Sequence, residues 1–170
     1  AGNHPTHPYF QRQAAVTAAT NQIKYIREEV EELLNGIRED NITEIRDGLG
    51  DSIVTLDGLM HRLGLPYGAL EAARNLIETS MGEGELEWDD ILHVAFAQLS
   101  GIVKELPDTE DLQETLIGIQ TSASWLLAVL YEVADAYKID VLADQQEIYR
   151  SNMSKFDTDN MVALVGRDRY

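Results

Sequence analysis

The chain has no cysteine, which excludes disulfides and thiolate metal sites and fits an intracellular protein. It is poor in cations: 13 Lys and Arg stand against 30 Asp and Glu, a formal net charge of −17. A surface of that sign repels phosphates, so unaided nucleic-acid binding is not expected; a nucleotide would need a divalent cation to mediate the contact. No run of eighteen apolar residues occurs, and no charged-then-apolar leader. Neither a membrane span nor a secretory signal is therefore expected, and a cytoplasmic location follows. The chain opens at Ala1 rather than Met, as a trimmed end would. Strand signals are scarce, with no period-two run bounded by turn chemistry.

What is present is helical periodicity in a chain of single-domain size, 170 residues and 44 % hydrophobic. Ile23, Ile26, Val30, Leu33 and Ile37 form one apolar stripe, which predicts a first helix over residues 9–35 ended by Gly36. Asn41, with Glu44 three residues on, resembles a capping box for a second helix running to Leu63, which Gly64 stops. Pro66 is expected to open a shorter third helix, to about residue 79. The sequence MGEGELE at 81–87 is the clearest break. Beyond it come expected helices over 88–105, over 108–137 with Asp108 as its cap, and over 141–152.

The order long, long, short thus occurs twice. Sliding the chain on itself by about 72 residues lays DSIVTLDGLMHRLGL over ASWLLAVLYEVADAY and NLIETSM over EIYRSNM. The expected fold is an all-α helical bundle made by tandem duplication, a pseudo-dimer of residues 1–81 and 82–170 within one compact bundle.

Residues 28–51, EEVEELLNGIREDNITEIRDGLGD, concentrate carboxylates. Successive helical residues turn by about 100°, so Glu29 and Glu32 share a flank of the first stripe, while Glu28 and Glu31 point further round. On the second helix Glu44, Asp47 and Asp51 project from one face, beside the small residues Gly48, Val54, Thr55 and Gly58. A solvated acidic helix start is the plain account, and the helix dipole suffices for Glu44. It does not reach Asp51, more than a turn further on. Like charges from two neighbouring helices repel unless a cation lies between them, and Mg²⁺ takes oxygen ligands of this kind.

These residues carry a resemblance. REEVEELLNGIREDN followed by RDGLGDSI resembles the first two helices of the all-α NTP pyrophosphohydrolase superfamily, which includes MazG, the dimeric dUTPases and the phosphoribosyl-ATP pyrophosphohydrolases. RSNMSKF at 150–156 is similar to the ending of MazG-like proteins. The resemblance places the family's ExxE on Glu29 and Glu32 and its second-helix aspartate on Asp51. The glutamate three before that aspartate is here Gly48, so Asp47 takes the fourth place; a literal ExxD would instead be Glu44 and Asp47. It implies a metal set of Glu29, Glu32, Asp47 and Asp51 holding Mg²⁺, with Mn²⁺ as substitute, and Glu28 or Glu32 as general base. It also implies hydrolysis of a nucleoside triphosphate to monophosphate and pyrophosphate, in nucleotide-pool control.

Lys24, Arg27, Arg62, Asn152 and Lys155 are candidate substrate contacts. At the aligned second-half positions stand Gly101 or Ile102, Lys104 or Glu105, Ile119 and Ala123, so that half is expected to complete a pocket rather than bind metal. Trp88, Trp125, Tyr131 and Tyr137 are expected in the core, and Asp90 with His93 as structural residues. Family precedent implies a homodimer of pseudo-dimers, with neither nucleic acid nor membrane as partner. The rival readings are a catalytically degenerate MazG-like nucleotide-binding or regulatory module, and an acidic helical bundle for protein interaction.

Overall fold

The structure, a computed structural model, describes residues 8–82 and 87–146. Among them there are helices and turns but no strand, so the molecule is an all-α helical bundle. Five helices follow in order: α1 (Pro8–Arg38), α2 (Ile42–Leu63), α3 (Glu71–Gly82), α4 (Trp88–Val103) and α5 (Leu112–Ala136). They belong to one compact unit, residues 1–139. Residues 140–170 form a second unit, of which the described part begins a helix, with Asp140 Oδ1 accepting from the Ala143 N–H at 3.0 Å.

Two antiparallel hairpins make the first unit. α1 packs most extensively along α2, and α4 along α5; the hairpins then meet through α1 on α4 and α2 on α5, with α3 lying against α5. The α1 stripe is buried from Ile23 to Leu33, with Ile26 and Leu33 wholly enclosed and Ile37 half-buried, and packs with the buried Ile45, Leu49, Ile53, Leu56 and Leu59 of α2. α5 is long and apolar enough to cross a membrane by length and composition. Its apolar residues, among them Ile119, Leu126, Leu130 and Val133, are however spent on this bundle's core.

Polar ties lock the hairpins. Arg38 at the end of α1 makes a two-pronged pair with Asp89 of α4, at 2.7 and 3.0 Å. The Arg27 guanidinium lies 5.5 Å from the centre of the Phe96 ring and donates to Ser100 Oγ. Arg74 of α3 bonds Glu132 and Asp135 of α5 and sits over the Tyr131 ring. Arg27 is therefore engaged in holding α1 to α4, not free for a phosphate.

Three helix ends differ from the sequence expectation. Gly36 does not stop α1, which runs on to Arg38; a Cβ at Gly36 would lie 2.9 Å from the Ile45 backbone nitrogen, so its lack of a side chain serves close helix contact. The turn falls instead to Asp40, whose φ of 52° lets the Asn41 N–H reach the Gly36 carbonyl. The α2 caps are as expected: Asn41 accepts from the Glu44 N–H, and Gly64 is left-handed at φ 65°. α3 begins at Glu71 rather than at Pro66 because the preceding backbone is committed to α5. The Pro66 carbonyl accepts from Gln120 Nε2 at 2.7 Å, and the Gly68 N–H donates to Ser124 Oγ at 2.8 Å. α5 is capped by Asp111, whose side chain accepts from the Glu114 N–H; residues 104–108 form turns anchored by the buried Leu106, which delays the start beyond Asp108.

The tightest contact is at Gly48, where a Cβ would fall 2.8 Å from Leu33 Cα and 3.0 Å from its nitrogen. Two residues on, a Cβ at Gly50 would meet nothing within 4 Å. Gly48→Ala should therefore destabilise the fold by about 1–3 kcal/mol through overpacking. Gly50→Ala should stabilise it by about 0.5–1 kcal/mol, since glycine is a poor helix former. Urea unfolding measures both as shifts in midpoint at constant slope.

Candidate metal centre

Glu29 and Glu32 stand one turn apart on α1, on the flank beside the buried Val30 and Leu33. Asp51 faces them from α2, one turn beyond Gly48 on the side that presses against Leu33. Each offers a carboxylate oxygen, and the three oxygens lie within 4.8 Å of one another. Glu32 and Asp51 are exposed and Glu29 is half-buried. Glu29 Oε2 is enclosed and meets no N–H or O–H donor among the described residues; its near neighbour is the Glu32 carboxylate, which it could bond only through a proton. No cationic side chain forms a described ion pair with any of the three, so the negative charge is left to solvent or to a bound cation.

The electrostatics follow from that crowding. Burial, with the negative charges of Asp51, Glu32 and Glu28, pushes the Glu29 carboxyl up to about 7. Two ionised carboxylates at this spacing cannot bond each other; a shared proton or a cation must bridge Glu29 and Glu32. Asp51 is raised too, first by burial, then by Asp47 and Glu32. The site thus holds back from full ionisation when empty of cations, although its donor set is all oxygen and suits a hard divalent ion.

The sequence-derived candidates distribute unevenly. Glu29, Glu32 and Asp51 come together. Asp47 is exposed and near enough to raise Asp51, but its oxygens stand outside the group of three. Glu44 is half-buried at the first turn of α2 and also stands outside it. Glu28 is exposed and acts on Glu29 through space. Lys24 is exposed, one turn before Glu28. Arg62, exposed in the last turn of α2, lines a groove of about 670 Å³ together with Thr17, Asn21, Gln22 and Tyr25 of α1. Asn152 and Lys155 lie outside the described residues.

Position 48 corrects one expectation. Gly48 is not an open place from which a ligand has been lost: a glutamate there would drive its Cβ into the Leu33 backbone. The four groove residues on α1 were missed by the sequence reading. The available signal was Gln22, a polar residue inside the apolar stripe, which is buried and donates from Nε2 to the Thr55 carbonyl at 2.8 Å. Gly58 makes room for it, since a Cβ there would lie 2.6 Å from that nitrogen.

No family profile matches the chain, and no solved structure matches it. Over 179 aligned residues it is 23 % identical to an uncharacterized protein, L479, of Acanthamoeba polyphaga mimivirus, an alignment covering 98 % of this chain and 71 % of the relative. That name carries no activity, so a functional reading rests on the geometry.

Because the folded pKa of Glu29 lies above the unfolded value, the unfolded chain loses this proton first as pH rises. Metal-free stability should therefore fall between about pH 4.5 and about pH 7, the two ends of the shift. Glu29→Gln should flatten that fall and exceed wild type at pH 8 by about 1 kcal/mol, after allowance for solvent screening. Urea titrations in chelator at pH 5 and pH 8 test the sign.

Proposed function

We propose that the chain is a Mg²⁺-dependent nucleoside triphosphate pyrophosphohydrolase of the MazG-like type, converting a nucleoside triphosphate to its monophosphate and pyrophosphate in the cytoplasm. The observation that carries this reading is the meeting of Glu29, Glu32 and Asp51 from two helices, with Glu29 Oε2 enclosed and unpartnered. A merely solvated acidic face has no reason to bury a carboxylate oxygen without a donor.

Glu29, Glu32 and Asp51 would hold the cation, with Mn²⁺ as a substitute. Bound there, Mg²⁺ would offset the triphosphate's charge against the −17 of the protein and acidify the attacking water. Glu28 or Glu32, both exposed, would accept that water's proton, Glu28 standing outside the cluster of three. Gln22, Asn21, Tyr25 and Arg62 extend the polar surface along the same α1–α2 hairpin and would receive the rest of the substrate, Arg62 supplying a positive charge. Lys24, Asn152 and Lys155 remain the other candidate contacts.

The pairing of α1 with α4 and of α2 with α5 supports the duplication reading, in which α4 and α5 play the partner hairpin. At the aligned positions Ile119 and Ala123 are wholly buried, as a half without a metal site would have them. A second reading, a nucleotide-binding or regulatory module without turnover, is favoured by one observation. Gly48 is closed to any side chain, which leaves three clustered carboxylates where the family pattern has four.

A panel of NTPs and dNTPs incubated with Mg²⁺ should release pyrophosphate from at least one member; release from none, with Mg²⁺-dependent nucleotide binding retained, would establish the second reading. Asp51→Asn should lower kcat/KM by about 100-fold or more, as loss of a metal ligand does. Activity equal to wild type would remove Asp51 from the ligand set.

The cation itself is testable without substrate. Mg²⁺ at about ten times its dissociation constant should stabilise the native state by about 1.4 kcal/mol. The rise in melting temperature should vanish in Glu29→Gln, Asp51→Asn double variants. An equal rise in that variant would mean that Mg²⁺ acts elsewhere.

A further inference from the structure

A second cavity, of about 380 Å³, lies between α4, α5 and the loop that joins α2 to α3. Its walls include Gly68 of the loop, Gln98 of α4, and Gln120, Ser122, Ser124 and Trp125 of α5. It shares no wall residue with the carboxylate cluster of Glu29, Glu32 and Asp51.

The cavity is built rather than incidental. Ser124 Oγ accepts from the Gly68 N–H at 2.8 Å and donates to the Gln120 carbonyl at 2.7 Å, while Gln120 Nε2 donates to the Pro66 carbonyl. These bonds pin the loop to α5 and set the mouth before any ligand arrives, which lowers the ordering cost of binding. A Cβ at Gly68 would meet Ser124 Oγ at 3.5 Å, an ordinary contact, so the seam is set by the hydrogen bonds and not by the glycine.

Its chemistry is neutral and bifunctional. Among the described residues no ionisable side chain lines it. No hydrogen bond among the described residues holds the Ser122 hydroxyl, the amide of the exposed Gln98 or the indole N–H of the half-buried Trp125. Gln120 is oriented by its bond to Pro66, which leaves its amide oxygen as an acceptor. An indole flank beside primary amides and a hydroxyl suits a planar ring whose edge carries both donors and acceptors. The volume falls at the small end of the ligand-pocket range, about 300–1,000 Å³. A phosphate has no counter-charge in these walls and would meet the repulsion of an acidic protein.

We propose that this cavity binds a neutral nucleoside, its base against Trp125 and its polar edge on Gln98 and Ser122. The site is independent of the carboxylate centre and needs no metal. It gives the second hairpin a ligand of its own.

The test is a titration of the ¹⁵N-labelled full chain with adenosine, guanosine, cytidine and uridine, in chelator. At least one should give saturable shifts at the Trp125 indole N–H, the Gln98 side-chain amide and the Gly68 N–H. Gln98→Ala and Ser122→Ala should each weaken binding by about tenfold, the worth of one hydrogen bond. Asp51→Asn should leave the titration unchanged, so failure of the metal-site reading and failure of this one are distinguishable. The proposal is overturned if none of the four gives saturable shifts at millimolar concentration, or if the shifts persist undiminished in both variants. It is equally overturned if toluene binds as tightly as the best nucleoside, which would mark a merely apolar cleft.

Discussion

Everything in the carboxylate centre depends on how closely α1 and α2 approach. Gly36 and Gly48 remove the side chains that would hold the two helices apart, so Leu33 meets bare backbone of α2 and the α2 backbone at Ile45 closes on α1. At that separation the residues flanking the seam have nowhere to diverge, and Glu29 and Glu32 are brought against Asp51. Larger residues at 36 and 48 would gain helix propensity and lose the cluster. The repulsion is tolerated because it is set against burial of a long apolar seam, with Leu33, Ile45 and Leu49 all fully enclosed.

That balance links stability and binding through the same atoms. With no cation, the site relieves its charge by holding the Glu29 proton to about pH 7. A divalent ion would take over that role and displace the proton, so affinity and pH are coupled by construction. Convergence of their oxygens within 4.8 Å, with one oxygen of Glu29 enclosed, separates these three from Glu31, Glu39 and Asp40, which stand outside the cluster. The same argument orders the cations: Arg27, Arg38 and Arg74 are consumed in joining helices, while Arg62 stays at a groove edge.

The two hairpins differ in what their surfaces offer. The first presents clustered carboxylates and the Arg62 guanidinium along α1 and α2. The second presents amides, hydroxyls and an indole between α4, α5 and the α2–α3 loop, and the bonds from Ser124 and Gln120 that delay α3 until Glu71 also frame that cavity. A helix start that sequence rules place at Pro66 is thus moved by tertiary hydrogen bonds.

The all-α class, the stripes of α1 and α2 and the Asn41 and Gly64 caps were legible in the chain, because each depends on helical period and local capping chemistry; the carboxylates were expected as a set of four, on a resemblance, and three of them converge. Other features were decided only by the tertiary structure. Gly36 reads as a stop and Gly48 as a missing ligand until the neighbouring helix is in place; both prove to be contact points. Asp47 falls in register with Asp51, yet its oxygens stay outside the cluster, since helical spacing gives a direction and not a distance. Trp125 follows the same logic: its period assigns it to the core, and only the packing of the α2–α3 loop leaves it lining a cavity.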